Sequence, residues 1–357
     1  MLSRFVLAIQ GLTPADLVHA SGISVEEARK VVSAVHRGLW NDDGPSDRPR
    51  PVQGVRRSSL DAVHARARLP VLQVRTTQRS VLDPFVKFAL TTVDGHAIET
   101  VRIPLERTGR FSVCVSSQVG CALECAFCAT GRLGLGRNLE SWEIVEQVRV
   151  VRATLGFNER VHGVVFQGMG EPLANVDNVL GAARVLSDPC ALAIDARAIT
   201  ICTAGLPSGI RRMAREAPRI RLGLSIGSAR PEVRRRLMPI EARYPLAEVL
   251  GAVEEHARAT GLAPMWAVTP LAGVNDSDAD ADALVEVASR FADRTGIRPR
   301  VSVVPYNPID VGGSDPFARG NIEHFRAALS LRGLPAHLRY SGGSDVHAAC
   351  GQLGRGR

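Results

Sequence analysis

The chain has 357 residues, of which 45% are hydrophobic and 22% charged, which is typical of a folded globular protein and excludes a low-complexity chain. Its apolar runs are shorter than the about 20 residues that a membrane span needs, and its start lacks the basic segment and cleavage site of a signal peptide, so we expect no membrane association. The formal net charge of +8 favours a polyanionic partner.

The N-terminal segment is predicted to be helical. Residues 13–22 and 24–38 carry the pattern of two helices, and Ser24 with Glu27 predicts a capping box at the start of the second. Residues 41–54 are rich in proline, glycine and aspartate, which is typical of a linker.

A pair of strands follows the linker. Residues 71–104 contain β-prone runs on both sides of Asp94 and Gly95, a pair that is typical of a hairpin turn. We therefore predict a small accessory region of helices and a hairpin ahead of the main domain. The predicted division of the chain is 1–95, 96–345 and 346–357.

The main domain alternates strands with helices. Buried parallel strands read as continuous apolar runs, and helical segments separate the six runs at 111–116, 162–168, 198–205, 221–227, 265–271 and 300–306. Six such units predict an α/β fold with a partial (β/α)6 barrel rather than a closed barrel of eight units. The active site is then expected at the carboxyl ends of the strands, in the loops that lead to the helices.

Arginine supplies nearly all the positive charge, since only two of the 44 basic residues are lysines. Clusters lie at 211–221 and 234–237. Guanidinium groups suit phosphates, which favours a nucleic-acid partner. A solvated basic surface gives the same pattern, so charge alone leaves both interpretations open.

Seven cysteines are too few for a disulfide scaffold in a chain of this length, which favours a cytoplasmic protein. Four of them fall within fifteen positions, and clustered cysteines in such proteins more often bind metal or do chemistry. Cys121, Cys125 and Cys128 form a C-x3-C-x2-C motif just after the first barrel strand. Three thiolates can hold three irons of a cubane cluster and leave the fourth iron open to a small molecule. Structural zinc would need a fourth nearby ligand, for which Cys114 is the closest upstream thiol. Three buried cysteines without metal are the remaining alternative.

Four segments together resemble a known family. They are CVSSQVGCALECAFCATG (114–131), GMGEPLANVDNV (168–179), VVPYNP (303–308) and HAACGQL (347–353). In this order they are similar to the RlmN/Cfr family of radical S-adenosylmethionine (SAM) enzymes, which methylate adenosines in RNA. The resemblance runs from about residue 97 to 353 and is much weaker before it.

The resemblance implies a set of cofactor-binding residues. Cys121, Cys125 and Cys128 would hold a 4Fe–4S cluster whose open iron binds SAM. Gly170 and Glu171 match the loop that contacts the amino group of SAM, and a carboxylate suits an ammonium. Three further residues match positions that line the SAM pocket: Cys202, Ser225 and Asn307.

The resemblance also implies a catalytic mechanism. Cys350 matches a cysteine that is methylated by one SAM and then attacked by a 5′-deoxyadenosyl radical made from a second. The resulting methylene radical adds to an adenine carbon. Cys114 matches the thiol that releases the adduct through a transient disulfide, and Glu99 matches the proton acceptor. Cys114 could otherwise be a core residue, and Glu99 an exposed residue of an edge strand.

The partners follow from the same resemblance. They are 23S ribosomal RNA, with transfer RNA as a second target of some members, and a flavodoxin or ferredoxin that donates electrons. We expect the protein itself to be a monomer in the cytoplasm. We favour carbon 2 of adenine over carbon 8 because Glu99 is present. The family usually has serine at the position of Cys202 and histidine at that of Gly227, which leaves the target RNA open. The rival hypotheses are a different radical SAM enzyme, such as a protein-activating one, and a non-catalytic protein that binds RNA or zinc.

Overall fold

The computed structural model describes residues 7–40, 50–309 and 314–354. Its N-terminal part is a helical unit with a hydrophobic core of its own, formed around Leu17, Val31, Val35 and Leu60. Two short parallel strands connect the ends of this unit. The elements are β1 (Leu7–Ala8), α1 (Pro14–Ser21), α2 (Val25–His36), α3 (Arg57–His64) and β2 (Ala67–Arg68).

Helix α2 begins as predicted, at Ser24, but its capping box is only half formed. The Ser24 hydroxyl accepts the Glu27 amide proton. The Glu27 carboxylate instead accepts two hydrogen bonds from the Arg56 guanidinium, at 3.0 and 2.9 Å, because a charge-assisted bidentate contact is stronger than a bond to a backbone amide. Of the predicted linker at 41–54, residues 41–49 lie outside the described part of the chain.

The rest of the chain is built on one ten-stranded sheet. From one edge to the other the strand order is β14-β13-β12-β11-β10-β9-β6-β5-β4-β3. The first seven strands of this order are parallel, and the last three continue the sheet in antiparallel pairs. The bounds are β3 (Gln73–Arg79), β4 (Val86–Thr91), β5 (Ala97–Pro104), β6 (Arg110–Val115), β9 (Arg160–Phe166), β10 (Ile199–Thr203), β11 (Arg221–Ser225), β12 (Met265–Val268), β13 (Arg300–Val303) and β14 (Ala336–Leu338).

Each new parallel strand is added beside the previous one without a reversal, which is the order that curls a sheet into a barrel. Within the described ranges β3 and β14 have no partner on their outer sides, so the barrel is open. A separate hairpin of β7 (Gln118–Cys121) and β8 (Gly134–Asn138) follows β6. The helices are α4 (Ser141–Ala153), α5 (Val176–Ser187), α6 (Pro207–Glu216), α7 (Pro231–Leu237), α8 (Leu246–Thr260), α9 (Asp278–Thr295) and α10 (Ile322–Leu331).

The partial barrel is confirmed, and all six predicted strands are present. The structure adds β14 as a seventh parallel strand, which has only three residues and therefore gives little pattern. The hairpin turn at Asp94 and Gly95 is also present, closed by the Thr92 amide donating to the His96 carbonyl. The division of the chain near residue 95 stays a prediction, and β4 and β5 pair across it. In the described part of the chain we find no helix that is long and apolar enough to cross a membrane.

Two buried histidines are expected to make the fold sensitive to acid. His36 and His256 have no hydrogen-bond partner among the described residues. Burial lowers the pKa of His36 to about 3, helped by the charges of Arg149 and Arg152, and burial lowers the pKa of His256 to about 4. The unfolded chain binds these two protons near pH 6.5, whereas the folded chain binds them only near pH 3–4. The free energy of unfolding is therefore highest above pH 6.5 and decreases as the pH falls toward 3–4.

We therefore expect the free energy of unfolding in urea to fall by about 1 kcal/mol for each histidine between pH 7.5 and 5.5. Replacing His256 by phenylalanine should remove its share of this difference, and replacing the exposed His162 by asparagine should leave the difference unchanged. An equal pH dependence in wild type and the His256→Phe variant would contradict the assignment.

Candidate active site

A cleft opens at the carboxyl ends of the barrel strands, where the sequence predicted the active site. Residues at or just beyond the ends of β9 to β13 line it, among them Gly170, Glu171, Cys202, Ser225 and Asn307. The cysteine loop and Cys350 complete the wall. The non-atom space in the cleft, counted out to open solvent, is about 1000 Å³.

The cysteine loop begins at the last residue of β7. Just before it, where the β7–β8 pairing is irregular, Gly120 has a φ of +73°, and a hypothetical Cβ there would lie 1.9 Å from the Gly134 carbonyl oxygen. The loop is anchored at its centre, where the Ala126 amide donates to the Leu237 carbonyl at 2.9 Å. Cys121, Cys125 and Cys128 all line the cleft, so the structure brings the three predicted ligands together.

The GMGE loop after β9 places a buried carboxylate in the cleft. Gly170 has φ +97°, and a Cβ there would meet the Gln118 backbone nitrogen at 2.8 Å, so only glycine fits. The oxygens of Glu171 accept backbone amide protons from Leu173 at 2.9 Å and from Ala204 at 2.8 Å. Burial raises the pKa of Glu171, which a cation bound in the cleft would reverse.

Cys114 and Cys350 line a second cavity, which adjoins the cleft and shares Cys128 and Gln167 with it. Cys114 comes from β6, whereas Cys350 lies in the C-terminal tail. Cys350 contributes to both cavities. Burial raises the pKa of Cys114 to about 12, helped by the nearby Cys350, and burial also raises the pKa of Cys350.

The tail that carries Cys350 is held by residues of the site. The Asn307 amide donates to the Cys350 carbonyl at 3.1 Å and to the Ser341 hydroxyl at 2.8 Å. The cysteine loop contributes the Ala129 amide, which donates to the Gly351 carbonyl at 2.8 Å. Asn307 therefore positions the tail as well as lining the cleft.

Glu99 does not line the cleft or the thiol cavity. It lies in a third cavity with Arg75, Met169 and Gly354. Glu99 is buried in the sheet interior, not exposed on an edge strand, and its Oε2 accepts the Gly354 amide proton at 2.6 Å. The tail thus contacts Glu99 four residues beyond Cys350.

Comparison with known proteins shows to which family the chain belongs. Residues 115–288 match the radical SAM superfamily. A probable RNA methyltransferase of Sorangium cellulosum (strain So ce56) is 55% identical over 96% of this chain and 91% of its own. The dual-specificity RNA methyltransferase RlmN of Syntrophobacter fumaroxidans is 41% identical over 75% of each chain. The chain belongs to the RlmN-like family of radical SAM RNA methyltransferases.

The fold agrees with this family. The crystal structure of a radical SAM methyltransferase from Sphaerobacter thermophilus superposes with a TM-score of 0.82 and 32% identity, over 98% of this chain and 99% of the other. Radical SAM enzymes use a 4Fe–4S cluster and SAM, so the cleft of this RlmN-like protein has to accommodate both.

The three thiols fit a cluster better than a single ion. Within the described residues no three His, Cys, Asp or Glu side chains are close enough to hold one metal ion. In a cubane each thiolate binds a different iron, so the sulfurs stand further apart than they do around one ion. Burial raises the pKa of Cys121 to about 12 and raises that of Cys125, so thiolates here need bound metal to balance their charge.

The two positions that depart from the RlmN pattern have different surroundings. Cys202 contacts the Gln167 side-chain oxygen at 3.7 Å, and a Cβ at the facing Gly223 would lie 2.7 Å from its sulfur. Gly227 has φ +70°, a conformation that histidine rarely adopts, and a Cβ there would lie 2.5 Å from the Met238 sulfur. The cleft wall is therefore built for a small residue at 227.

Some arginines of the two sequence clusters at 211–221 and 234–237 pair within the chain. Arg234 is fully buried, binds Glu241 and donates to the carbonyl oxygens of Ile226 and Ala204, which supports the cleft floor. Arg211 and Arg212 form ion pairs on the surface. No sequence pattern distinguishes a buried arginine of this kind from its exposed neighbours.

Arg339 is a site residue that the sequence did not reveal. It follows β14 and lines the thiol cavity with Cys114 and Cys350. Its Nη1 is buried and has no hydrogen-bond partner in the described ranges. Its charge lowers the pKa of both thiols, although burial has the larger, opposite effect. Because β14 was not predicted, nothing indicated that Arg339 reaches the site.

Replacing Glu171 by glutamine tests the predicted contact to SAM. Removing a charge-assisted hydrogen bond to the SAM ammonium should weaken SAM binding by roughly 10- to 100-fold. Anaerobic titration calorimetry of the cluster-loaded protein measures this affinity. The variant Glu232→Gln, which changes an exposed glutamate of α7, should bind SAM as wild type does. If the Glu171→Gln variant bound SAM with unchanged affinity, Glu171 would not contact SAM.

Proposed function

We propose that the protein methylates an adenine carbon of RNA through a methyl group carried on the Cys350 thiol. The observation that supports this most directly is the shared cavity of Cys350 and Cys114 beside the cleft of the three loop cysteines. A radical enzyme without a methyl-carrying thiol has no need of such a pair.

In this mechanism Cys121, Cys125 and Cys128 hold the cluster, and Glu171 faces the amino group of SAM. When bound, the cluster supplies the electron that cleaves SAM. Cys350 contributes to both cavities, so its Sγ can accept a methyl group on the cleft side and present it to a base on the other.

Cys114 would release the product. Its thiolate attacks Sγ of Cys350, a sulfur–sulfur bond forms, and the bond from that sulfur to the product carbon breaks with its electron pair on carbon. The carbon then takes a proton and becomes the methyl group. The structure contains no disulfide among the seven cysteines, and in this mechanism an external thiol would have to reduce the one that forms.

Glu99 would accept the proton of the adenine carbon. Its contact with Gly354 ties this carboxylate to the tail of Cys350. We favour carbon 2, because Glu99 matches the residue associated with that reaction. The adenosine has to leave its stack to reach these cavities, which favours a loop or bend of RNA. We propose 23S ribosomal RNA as substrate, transfer RNA as a second substrate, and a monomer acting in the cytoplasm with a flavodoxin or ferredoxin.

The mass of one peptide tests this proposal. Trypsin releases residues 340–355, in which Cys350 is the only cysteine. After anaerobic purification and incubation with SAM, this peptide should carry one methyl group on Cys350. An unmodified thiol in cluster-loaded protein would refute the mechanism and favour a radical SAM enzyme of another kind. A protein that purifies without iron would favour the non-catalytic alternative.

A further inference from the structure

A buried lysine lies beside Glu99. The Nζ of Lys87 is 3.1 Å from Oε1 of Glu99, and the two side chains are only 3% and 5% exposed. Burying an ion pair is unfavourable unless its geometry is good, so pairs of this kind are weak evidence for a purely stabilising role. The pair therefore needs another explanation.

The sheet register places the pair on the face that carries Cys114. Lys87 stands opposite Val101 in the β4–β5 pair, and Val101 stands opposite Cys114 in the β5–β6 pair. Directly opposed residues of antiparallel strands share a face, and Glu99 is two residues before Val101. Lys87, Glu99 and Cys114 thus point to the same side of the sheet.

The two oxygens of Glu99 have different environments. Oε2 accepts the Gly354 amide proton at 2.6 Å. Oε1 faces the Lys87 ammonium at 3.1 Å and accepts no further hydrogen bond from the described residues. A carboxylate oxygen has two lone pairs, so Oε1 keeps one that can take a proton.

The choice of lysine is unusual for this chain. Only two of its 44 basic residues are lysines, and the other one, Lys30, is a partly exposed surface residue paired with Glu26. An arginine would offer Glu99 a rigid bidentate fork and occupy both oxygens. Lysine is a compact point charge, which leaves the carboxylate open.

We propose that Lys87 is a positioning residue that orients the side chain of Glu99, with Oε1 available for the proton of the adenine carbon. This inference rests on the proposed function. In the step concerned, the carbon–hydrogen bond breaks, its electron pair stays with the ring, and the proton forms an O–H bond on Glu99. The unpaired electron left by addition of the methylene radical passes to the proposed flavodoxin- or ferredoxin-class redox partner, so that the adduct has closed shells before Cys114 acts. Methylation of Cys350 by SAM does not involve Glu99 and is independent of Lys87.

Replacing Lys87 by methionine tests the proposal. The RNA product should fall by at least about 10-fold, which is less than the roughly 10²- to 10⁴-fold that a positioned acid–base group itself contributes, because Glu99 is still present. The methyl group on Cys350 should form within two-fold of the wild-type level. A covalent protein–RNA species should accumulate on denaturing gels, because the adduct forms but is not released. Lys30→Met is the matched control and should behave as wild type.

A second variant separates positioning from folding. The double change Lys87→Met with Glu99→Gln replaces the buried pair by a neutral one, so it should restore the thermal stability that Lys87→Met loses, but it should not restore product formation. If Lys87→Met forms product at the wild-type rate, the inference is wrong. It is equally wrong if Cys350 methylation and product fall together with the folded fraction. Absence of the Cys350 methyl group in wild type would instead refute the proposed function, and with it this inference.

Discussion

Replacing Cys350 by alanine is expected to reduce RNA methylation by at least about 10³-fold, as for the loss of an essential nucleophile. Cys128 and Cys350 line both the cleft and the cavity of Cys114, and Cys128 is a proposed cluster ligand, so Cys350 is the thiol left to carry the methyl group. Incorporation of a labelled methyl group from SAM into ribosomal RNA measures the effect. The iron content should equal that of wild type, since Cys350 is not a proposed cluster ligand.

The matched control is Cys190→Ala. Cys190 is a partly buried thiol that packs against the N-terminal core, away from the cleft. This variant should methylate RNA as wild type does. Full methylation by Cys350→Ala would show that the methyl group does not pass through this thiol.

Replacing Cys125 by serine is expected to have the second large effect, on the metal centre itself. Serine is a poor ligand for iron, and a cubane held by three thiolates depends on each of them. Iron should fall from about four per chain to below one, and the brown colour should be lost. RNA methylation and cleavage of SAM should both disappear.

Folding has to be checked in the same experiment, because Cys125 packs against a small core cluster around Leu237 and Tyr306. Serine differs little from cysteine in volume, so the circular dichroism spectrum of the iron-free protein should match that of iron-free wild type. Wild-type iron content in Cys125→Ser would mean that the C-x3-C-x2-C motif does not hold the cluster.

Much of the barrel and the metal site could be predicted because their signals are local. The six main strands are apolar runs of four to seven residues, and each repeats a pattern that only buried parallel strands need. The cysteine motif is contained in one loop, so its spacing alone brings the thiols together. Gly170 and Glu171 follow a strand directly, which was enough to place them at the mouth of the barrel.

Other elements carry no such signal. Helices α3, α7 and α10 are seven to ten residues long and were not predicted. The predicted role of Glu99 gave no indication that this carboxylate lies in a separate cavity with a lysine beside it. The sequence does not distinguish Arg234 from Arg235 and Arg236, although Arg234 is fully buried and the other two are exposed.

By itself, then, the sequence determined the fold class and predicted two loops of the site, the C-x3-C-x2-C loop and the loop of Gly170 and Glu171, because neighbouring residues encode each of them. The tertiary structure alone decided how Cys114, Cys350 and Arg339 share one cavity, and that Lys87 pairs with Glu99. The first contact joins a sheet strand to a tail more than two hundred residues away. The second depends on the register of neighbouring strands. Such contacts arise from strand pairing and from docking of the tail, and neither produces a periodic pattern of residues in the sequence.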